Sequence, residues 1–250
     1  SNVQYDLGIS YLYGFGVEKN ESNAQDLLEK AADAGNYDAM LELGKRLVDY
    51  DNEFQLDFEK GHNLLLKVAE KGNLDAAYEL YRYYKYHDDN LEKAVYWAEK
   101  CVENGASTFL RKNVADFYYN DGNVKDFKKT IKYYEEILDD ESEFSHSQVM
   151  LPLAVCYIKL GQEVEKYSRI MSLLDQARQF SENEDDYYNK PRKGEILYWK
   201  AYMTEKGPEG TKNLEVAYQL YLQSAEEGYE KAGLEAQKFK KTLFGWKKMI

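Results

Sequence analysis

Apolar positions along this chain fall in two helical stripes per block, and the block repeats. In the first block Leu7, Gly8 and Tyr11 share one helical face. Gly14-Phe15-Gly16-Val17 then interrupts the pattern. Ala24, Leu27, Leu28, Ala31 and Ala32 form a second stripe at i, i+3, i+4, i+7 and i+8, ended by Gly35. The reading is helix, turn, helix, glycine stop. Neither helix can bury its stripe alone, so a neighbouring copy must cover it.

The copies are present. The first-helix pattern, apolar–small–x–x–Tyr, is anchored at Leu7-Gly8 with Tyr11 and Leu43-Gly44 with Leu47. It recurs at Leu80-Tyr81 with Tyr84, Val114-Ala115 with Tyr118, Leu153-Ala154 with Tyr157, and Tyr198-Trp199 with Tyr202. The steps between anchors are 36, 37, 34, 39 and 45 residues, and a degraded seventh anchor stands at Ala236-Gln237. The second-helix stripes hold the same period, at Gly61 to Ala69, Ala94 to Val102, Thr130 to Leu138, Ile170 to Ala177 and Ala217 to Ala225. This predicts an all-α, right-handed superhelical solenoid of about six helix-turn-helix repeats in one domain, residues 1–250. The repeats are expected at 3–38, 39–75, 76–108, 110–146, 147–190 and 191–231, with 232–250 as a C-terminal capping segment.

The residue types have physical reasons. Gly8, Gly44, Ala115 and Ala154 let two helices approach closely. Gly35, Gly72, Gly105 and Gly228 are placed to supply a left-handed cap between repeats. Asn-x-Asp-Ala follows Gly35 and Gly72, and the Asp is expected to cap the opening helix.

These motifs resemble the Sel-one-like repeat (SLR) family, a relative of the tetratricopeptide repeats. Leu7, Gly8, Tyr11, Gly14, Gly16, Val17, Lys30, Ala31, Ala32, Gly35 and Ala39 carry the resemblance in repeat one. It is good in repeats two and three. Repeats four and five read as generic tetratricopeptide units, and Ser224-Ala225-Glu226-Glu227-Gly228 with Ala232 regains it in repeat six. The resemblance implies first helices lining a concave side, and a role as adaptor or scaffold, including in bacterial signalling and host contact.

The departures from the repeat are as informative. Tyr81 and Trp199 stand where a small residue belongs, so their rings are expected either to splay the helices or to point onto the concave surface. Acidic joins lengthen the later repeats, at 139–146 and 181–192, with Pro191 placed to start a helix. The tail from Lys238 is basic and carries Leu243, Phe244 and Trp246, as a segment covering the last apolar face would.

Charge narrows the partners. The chain has 33 Lys and Arg against 45 Asp and Glu, a net charge of −12. That repels phosphate backbones and anionic lipid, so no nucleic-acid partner is expected, and it favours a basic protein or peptide. No signal peptide or membrane span is visible. The longest apolar run, Val149 to Ile158, has ten residues including Pro152, against about 20 needed to cross a bilayer. Cys101 and Cys156 sit at small core positions and read as buried hydrophobes.

Candidate chemistry is sparse, and neither a cofactor nor a metal is expected. Gly14-Phe15-Gly16-Val17 follows a helix rather than a strand and lacks the third glycine of a dinucleotide loop. Asp49, Asp51 and Glu53 mimic the start of a calcium loop, but Phe54 stands at position six and Lys60 at position twelve. His62, His87 and His146 have no metal spacing. No nucleophile–base motif stands out, so no catalytic residue is expected.

The aromatics remain, with 24 Tyr, 10 Phe and 3 Trp. Tyr84, Tyr118 and Tyr202 hold the repeat's own tyrosine position and belong to the core. Tyr81, Tyr83, Tyr86, Tyr119 and Trp199, with Arg46 and Arg82 near them in repeat register, form the candidate protein-binding set. The expected function is a non-catalytic interaction module holding a partner on a concave aromatic face. The alternatives are an immunity-type protein neutralising one secreted bacterial toxin, and an enzyme or metal-dependent protein.

Overall fold

The computed structural model describes residues 1–49, 54, 56–105, 107–120, 125–140, 146–182, 193–242 and 245–249. Among these it contains thirteen α-helices and one two-stranded antiparallel hairpin. Two compact units are present, residues 1–110 and 111–250.

Residues 1–110 hold three antiparallel helix pairs, each pair one sequence repeat. They are α1 (Asn2–Tyr13) with α2 (Glu21–Asp33), α3 (Tyr37–Leu47) with α4 (Phe58–Ala69), and α5 (Leu74–Tyr86) with α6 (Leu91–Glu103). Consecutive pairs also pack, α2 on α3 and α4 on α5. The second-helix stripes are buried where the pattern placed them, at Ala24, Leu28, Ala31 and Ala32, then Leu65, Val68 and Ala69, then Ala94, Trp97, Ala98, Cys101 and Val102. In α1 the register is shifted from the expectation. Gly8 and Leu12 are the buried residues of that helix, while Leu7 is exposed. Phe54, the residue that spoils the calcium loop, is buried in the core around Leu28 and Leu43; Asp51 and Glu53 lie outside the described residues.

The helix ends follow a simple rule. Asn20, Asn36, Asp57, Asn73 and Asn90 each accept a hydrogen bond from the backbone N–H three residues on. This corrects the capping assignment. Asn36 and Asn73 are the caps, and Asp38 and Asp75 sit inside the first turn, where a negative charge favours the helix dipole. Gly35, Gly72, Gly105 and Gly228 have φ of 85°, 89°, 86° and 87°, the left-handed conformation that the glycine stops required.

Residues 111–250 continue the alternation. α7 (Thr108–Asn120) carries the boundary between the units, followed by α8 (Phe127–Leu138), α9 (His146–Lys159), α10 (Tyr167–Glu182), α11 (Lys193–Lys206), α12 (Leu214–Glu226) and the short α13 (Glu230–Ala236). Pro152 lies inside α9, and Cys156 is buried in the same helix with a free thiol, as is Cys101 in α6. Burial pushes the Cys156 thiol up to about 12, so it is an inert core residue. The chain then leaves the helical pattern. Strands β1 (Phe239–Thr242) and β2 (Gly245–Lys248) form a hairpin whose register pairs Lys240 with Lys247 and Lys241 with Trp246. Phe239 and Trp246 cover Tyr218 and Tyr221 of α12, with the Trp246 and Tyr218 rings stacked at 4.5 Å. Leu243 and Phe244, the joins across 141–145 and 183–192, and Pro191 lie outside the described residues. No helix among the described residues is long and apolar enough to cross a membrane.

Candidate interaction cleft

The first helices of residues 1–110 share one face. On it lies a cleft of about 470 Å³, lined by Tyr13 of α1, by Glu42, Lys45 and Arg46 of α3 with the adjoining Val48 and Asp49, and by Glu79, Arg82, Tyr83 and Tyr86 of α5 with His87. Repeat geometry explains the set. Glu42 and Glu79 each precede their anchor by one residue; Lys45 and Arg82 each follow theirs by two. Equivalent positions on successive first helices stand side by side, so similar side chains line one surface.

The cleft walls are held by local pairs. Arg46 Nε donates to Glu42 Oε1 at 3.0 Å, and its Nη2 donates to the Tyr13 hydroxyl at 3.3 Å. The guanidinium carbon lies 5.9 Å from the centre of the Tyr13 ring. Arg82 Nη1 donates to Glu79 Oε2 at 3.0 Å. Behind the cleft is a cluster of rings from α4 and α5. His62 packs on Tyr83 at 5.0 Å, Phe58 on His87 at 5.0 Å, and Tyr83 on His87 at 5.8 Å. His62 Nε2 and the Tyr84 hydroxyl are 2.6 Å apart. Burial, helped by Lys93 nearby, holds the His62 imidazole below the usual histidine range, so it is neutral at pH 7.

Four of the seven residues singled out in the sequence meet here: Arg46, Arg82, Tyr83 and Tyr86. Tyr86 is 66% exposed, with the Lys85 ammonium 5.2 Å from the centre of its ring. Tyr81 does not join them. It is 5% exposed, packed within the α5 seam, and its hydroxyl accepts from Lys85 Nζ at 2.9 Å. Tyr119 and Trp199 belong to residues 111–250. Tyr119 is half-buried with its ring 6.3 Å from Phe127. Trp199 is buried, edge-on to Tyr198 and Tyr202, and thus fills the seam where a small residue was expected.

Two rim residues carry no repeat signal. Phe15 belongs to the glycine turn, yet it is 65% exposed and stacks on Tyr13 at 5.6 Å. Gly14 and Gly16, with φ of 75° and 73°, flank it and turn it outward. Tyr13 itself is 50% exposed. The available signal was an aromatic residue between two turn glycines, a position where burial is not expected.

Chemically the cleft offers hydrogen-bond donors, acceptors and aromatic faces. Among the described residues no group of His, Cys, Asp and Glu side chains is arranged to hold a metal ion. Its repeating geometry matches a known family, since the Sel1 repeat model matches residues 1–36, 87–105 and 197–229. These three segments of the chain are similar to Sel1 repeats. The first Sel1 match covers α1 and α2, and the last runs from within α11 through α12. Solved structures agree on the fold. A protective antigen present in uropathogenic Escherichia coli strains, displaying an SLR fold, is similar with a TM-score of 0.51 and 20% identity, over 94% of this chain and 56% of that one. A Sel1 repeat protein from Oxalobacter formigenes is similar with a TM-score of 0.51 and 19% identity, over 94% of this chain and 64% of that one. This chain therefore spans less than two thirds of the length of either similar structure. No curated protein matches it in sequence. Sel1 repeats generally serve as protein-interaction modules.

Proposed function

We propose that this chain is a non-catalytic protein-interaction module that seats a segment of a partner in the first-helix cleft of residues 1–110. One observation carries the reading. The cleft gathers Arg46, Arg82, Tyr83 and Tyr86 from successive repeats and is rimmed by the exposed rings of Tyr13, Phe15 and Tyr86. Exposed aromatic rings beside arginines are the residue types that dominate binding energy at protein interfaces. Exposing them to water without a partner brings no benefit to folding.

The test compares affinity capture from the native source by the wild-type chain, by Phe15→Ala/Tyr86→Ala, and by Tyr96→Ala. Tyr96 is an exposed ring on α6 outside the cleft. A partner retained by the wild type and by Tyr96→Ala but lost by the double variant, at unchanged melting temperature, supports the cleft. Equal retention by all three proteins removes it.

A further inference from the structure

We infer that the occupant of the cleft is an extended peptide segment carrying a carboxylate next to an apolar side chain. This rests on the reading just given and adds the chemistry of the partner. Net charge does not decide it, because the lining holds Lys45, Arg46 and Arg82 against Glu42, Asp49 and Glu79. The pairing of those charges does.

Glu42 and Glu79 are each paired with an arginine, through one carboxylate oxygen. Glu42 Oε1 accepts from Arg46 Nε and from the Tyr13 hydroxyl, and Glu79 Oε2 accepts from Arg82 Nη1. The donors are not all engaged. Lys45 makes no hydrogen bond or ion pair with a described residue, and Arg82 uses only Nη1, with half of its side chain exposed. The Tyr83 hydroxyl likewise makes no hydrogen bond with a described residue. Lys45 and Arg82 occupy the same repeat position on α3 and α5, so an ammonium and a partly open guanidinium fork face one cleft. A carboxylate matches that arrangement, through charge-assisted N–H···O bonds to both. A lysine or arginine entering the cleft would instead meet the unpaired Lys45 ammonium.

The apolar half of the requirement comes from the rim. Phe15 stacked on Tyr13 forms one lip and Tyr86 the other. A side chain flanking the carboxylate would be covered by these rings, which excludes water from the ion contacts and strengthens them. The basic partner expected from the charge of −12 is a statement about the long-range field, which governs approach. Contact groups govern the bound state.

The experiment uses the full isotope-labelled chain and follows its amide NMR resonances during titration with blocked hexapeptides. The probes are Ac-Gly-Phe-Glu-Glu-Leu-Gly-NH2, its Gln-Gln and Lys-Lys analogues, and a blocked Gly-Phe-Leu peptide with a free C-terminal carboxylate. The acidic probe should shift Phe15, Lys45, Arg82 and Tyr86, and the Gln-Gln analogue should bind about tenfold more weakly. Lys45→Gln and Arg82→Gln should each weaken the acidic probe by about tenfold at unchanged melting temperature. Response to the Gly-Phe-Leu peptide would assign the seat to a chain terminus, and its failure beside success of the Glu-Glu probe to a side chain. Equal or tighter binding of the Lys-Lys analogue at these residues overturns the carboxylate while leaving the cleft a binding surface. Shifts confined to other residues, or no shifts, overturn the inference, and the capture test then decides separately whether the cleft binds a partner.

Discussion

Gly44 and Gly61 show what a single residue does in this architecture. A Cβ at Gly61 would lie 2.7 Å from Val48 Cγ1, 3.0 Å from Leu47 Cβ and 3.1 Å from the Gly44 carbonyl oxygen. A Cβ at Gly44 would lie 2.9 Å from Leu65 Cγ and 3.2 Å from the Gly61 carbonyl oxygen. The α3 and α4 backbones therefore cross at these two glycines, with no room for a methyl group. Gly61→Ala should lower stability by about 1–3 kcal/mol, the usual cost of overpacking a filled core. Gly233 is the contrasting case, since its added Cβ would meet only Ala225 Cβ at 3.7 Å. Gly233→Ala should raise stability by about 0.5–1 kcal/mol through helix propensity alone. Urea unfolding of both variants checks the pair, and opposite signs are expected. The small residues at the helix crossings were legible in the sequence because their spacing repeats. Phe15 was not, because exposure of a turn residue leaves no periodic trace.

At the scale of elements, the helices were legible and the hairpin was not. Helices α2 to α6, α8 and α12 start on a capping Asn or Asp, and Gly35, Gly72, Gly105 and Gly228 follow α2, α4, α6 and α12, local signals that agree. The strands at Phe239–Thr242 and Gly245–Lys248 are four residues each, too short for alternation to declare itself. They are held by tertiary contacts that a local pattern does not contain. Lys248 Nζ donates to Glu205 Oε2 at 2.6 Å and to Glu235 Oε2 at 2.9 Å. Glu205 is almost fully buried and also accepts from the Tyr221 hydroxyl at 3.2 Å and pairs with Lys206 at 3.1 Å. The hairpin is thus pinned to α11 and α13 by one lysine. Lys248→Ala should cost about 2–3 kcal/mol, because it leaves a buried carboxylate short of a partner. Glu205→Gln/Lys248→Ala should cost less than Lys248→Ala alone, since the charge that needs the lysine is gone. Denaturation midpoints of the two variants and of Glu205→Gln close the cycle; a double variant weaker than Lys248→Ala would show that the lysine acts through its stem on Tyr221 and Phe239 instead.

For the molecule as a whole, the tyrosine excess and the acidity prove to be partly one feature. Among the described residues of 111–250 tyrosine hydroxyls donate to carboxylates, Tyr134 to Asp116 at 2.6 Å, Tyr157 to Glu135 at 2.7 Å, Tyr202 to Glu163 at 3.1 Å and Tyr221 to Glu205 at 3.2 Å. These acids are internal acceptors as well as surface charge. The remaining imbalance is concentrated in residues 1–110, which hold 21 acidic and 11 basic residues, against 24 and 22 in residues 111–250. The pairing has a consequence for pH. Burial first, and the adjacent carboxylate second, push all four phenols up, Tyr202 to about 12 and the others further. A phenol raised in the folded state keeps its proton when the unfolded chain has lost it. The folded state then binds more protons above the unfolded value of about 10, so stability must fall as pH rises. Each tyrosine's contribution is complete below pH ~10 and is lost as pH climbs through the folded value, at about 1.4 kcal/mol per pH unit while only the unfolded form is ionised. Four such groups acting together are large against a typical stability of about 5–15 kcal/mol. Urea unfolding between pH ~7 and ~11.5 should show a plateau followed by a steep alkaline loss. Tyr157→Phe and Tyr202→Phe should each make that loss shallower by about one proton's worth of slope, while lowering stability at neutral pH by about 1–2 kcal/mol for the lost hydrogen bond. An unchanged slope in both variants would show that these hydroxyls are solvated and that the carboxylates do not hold them.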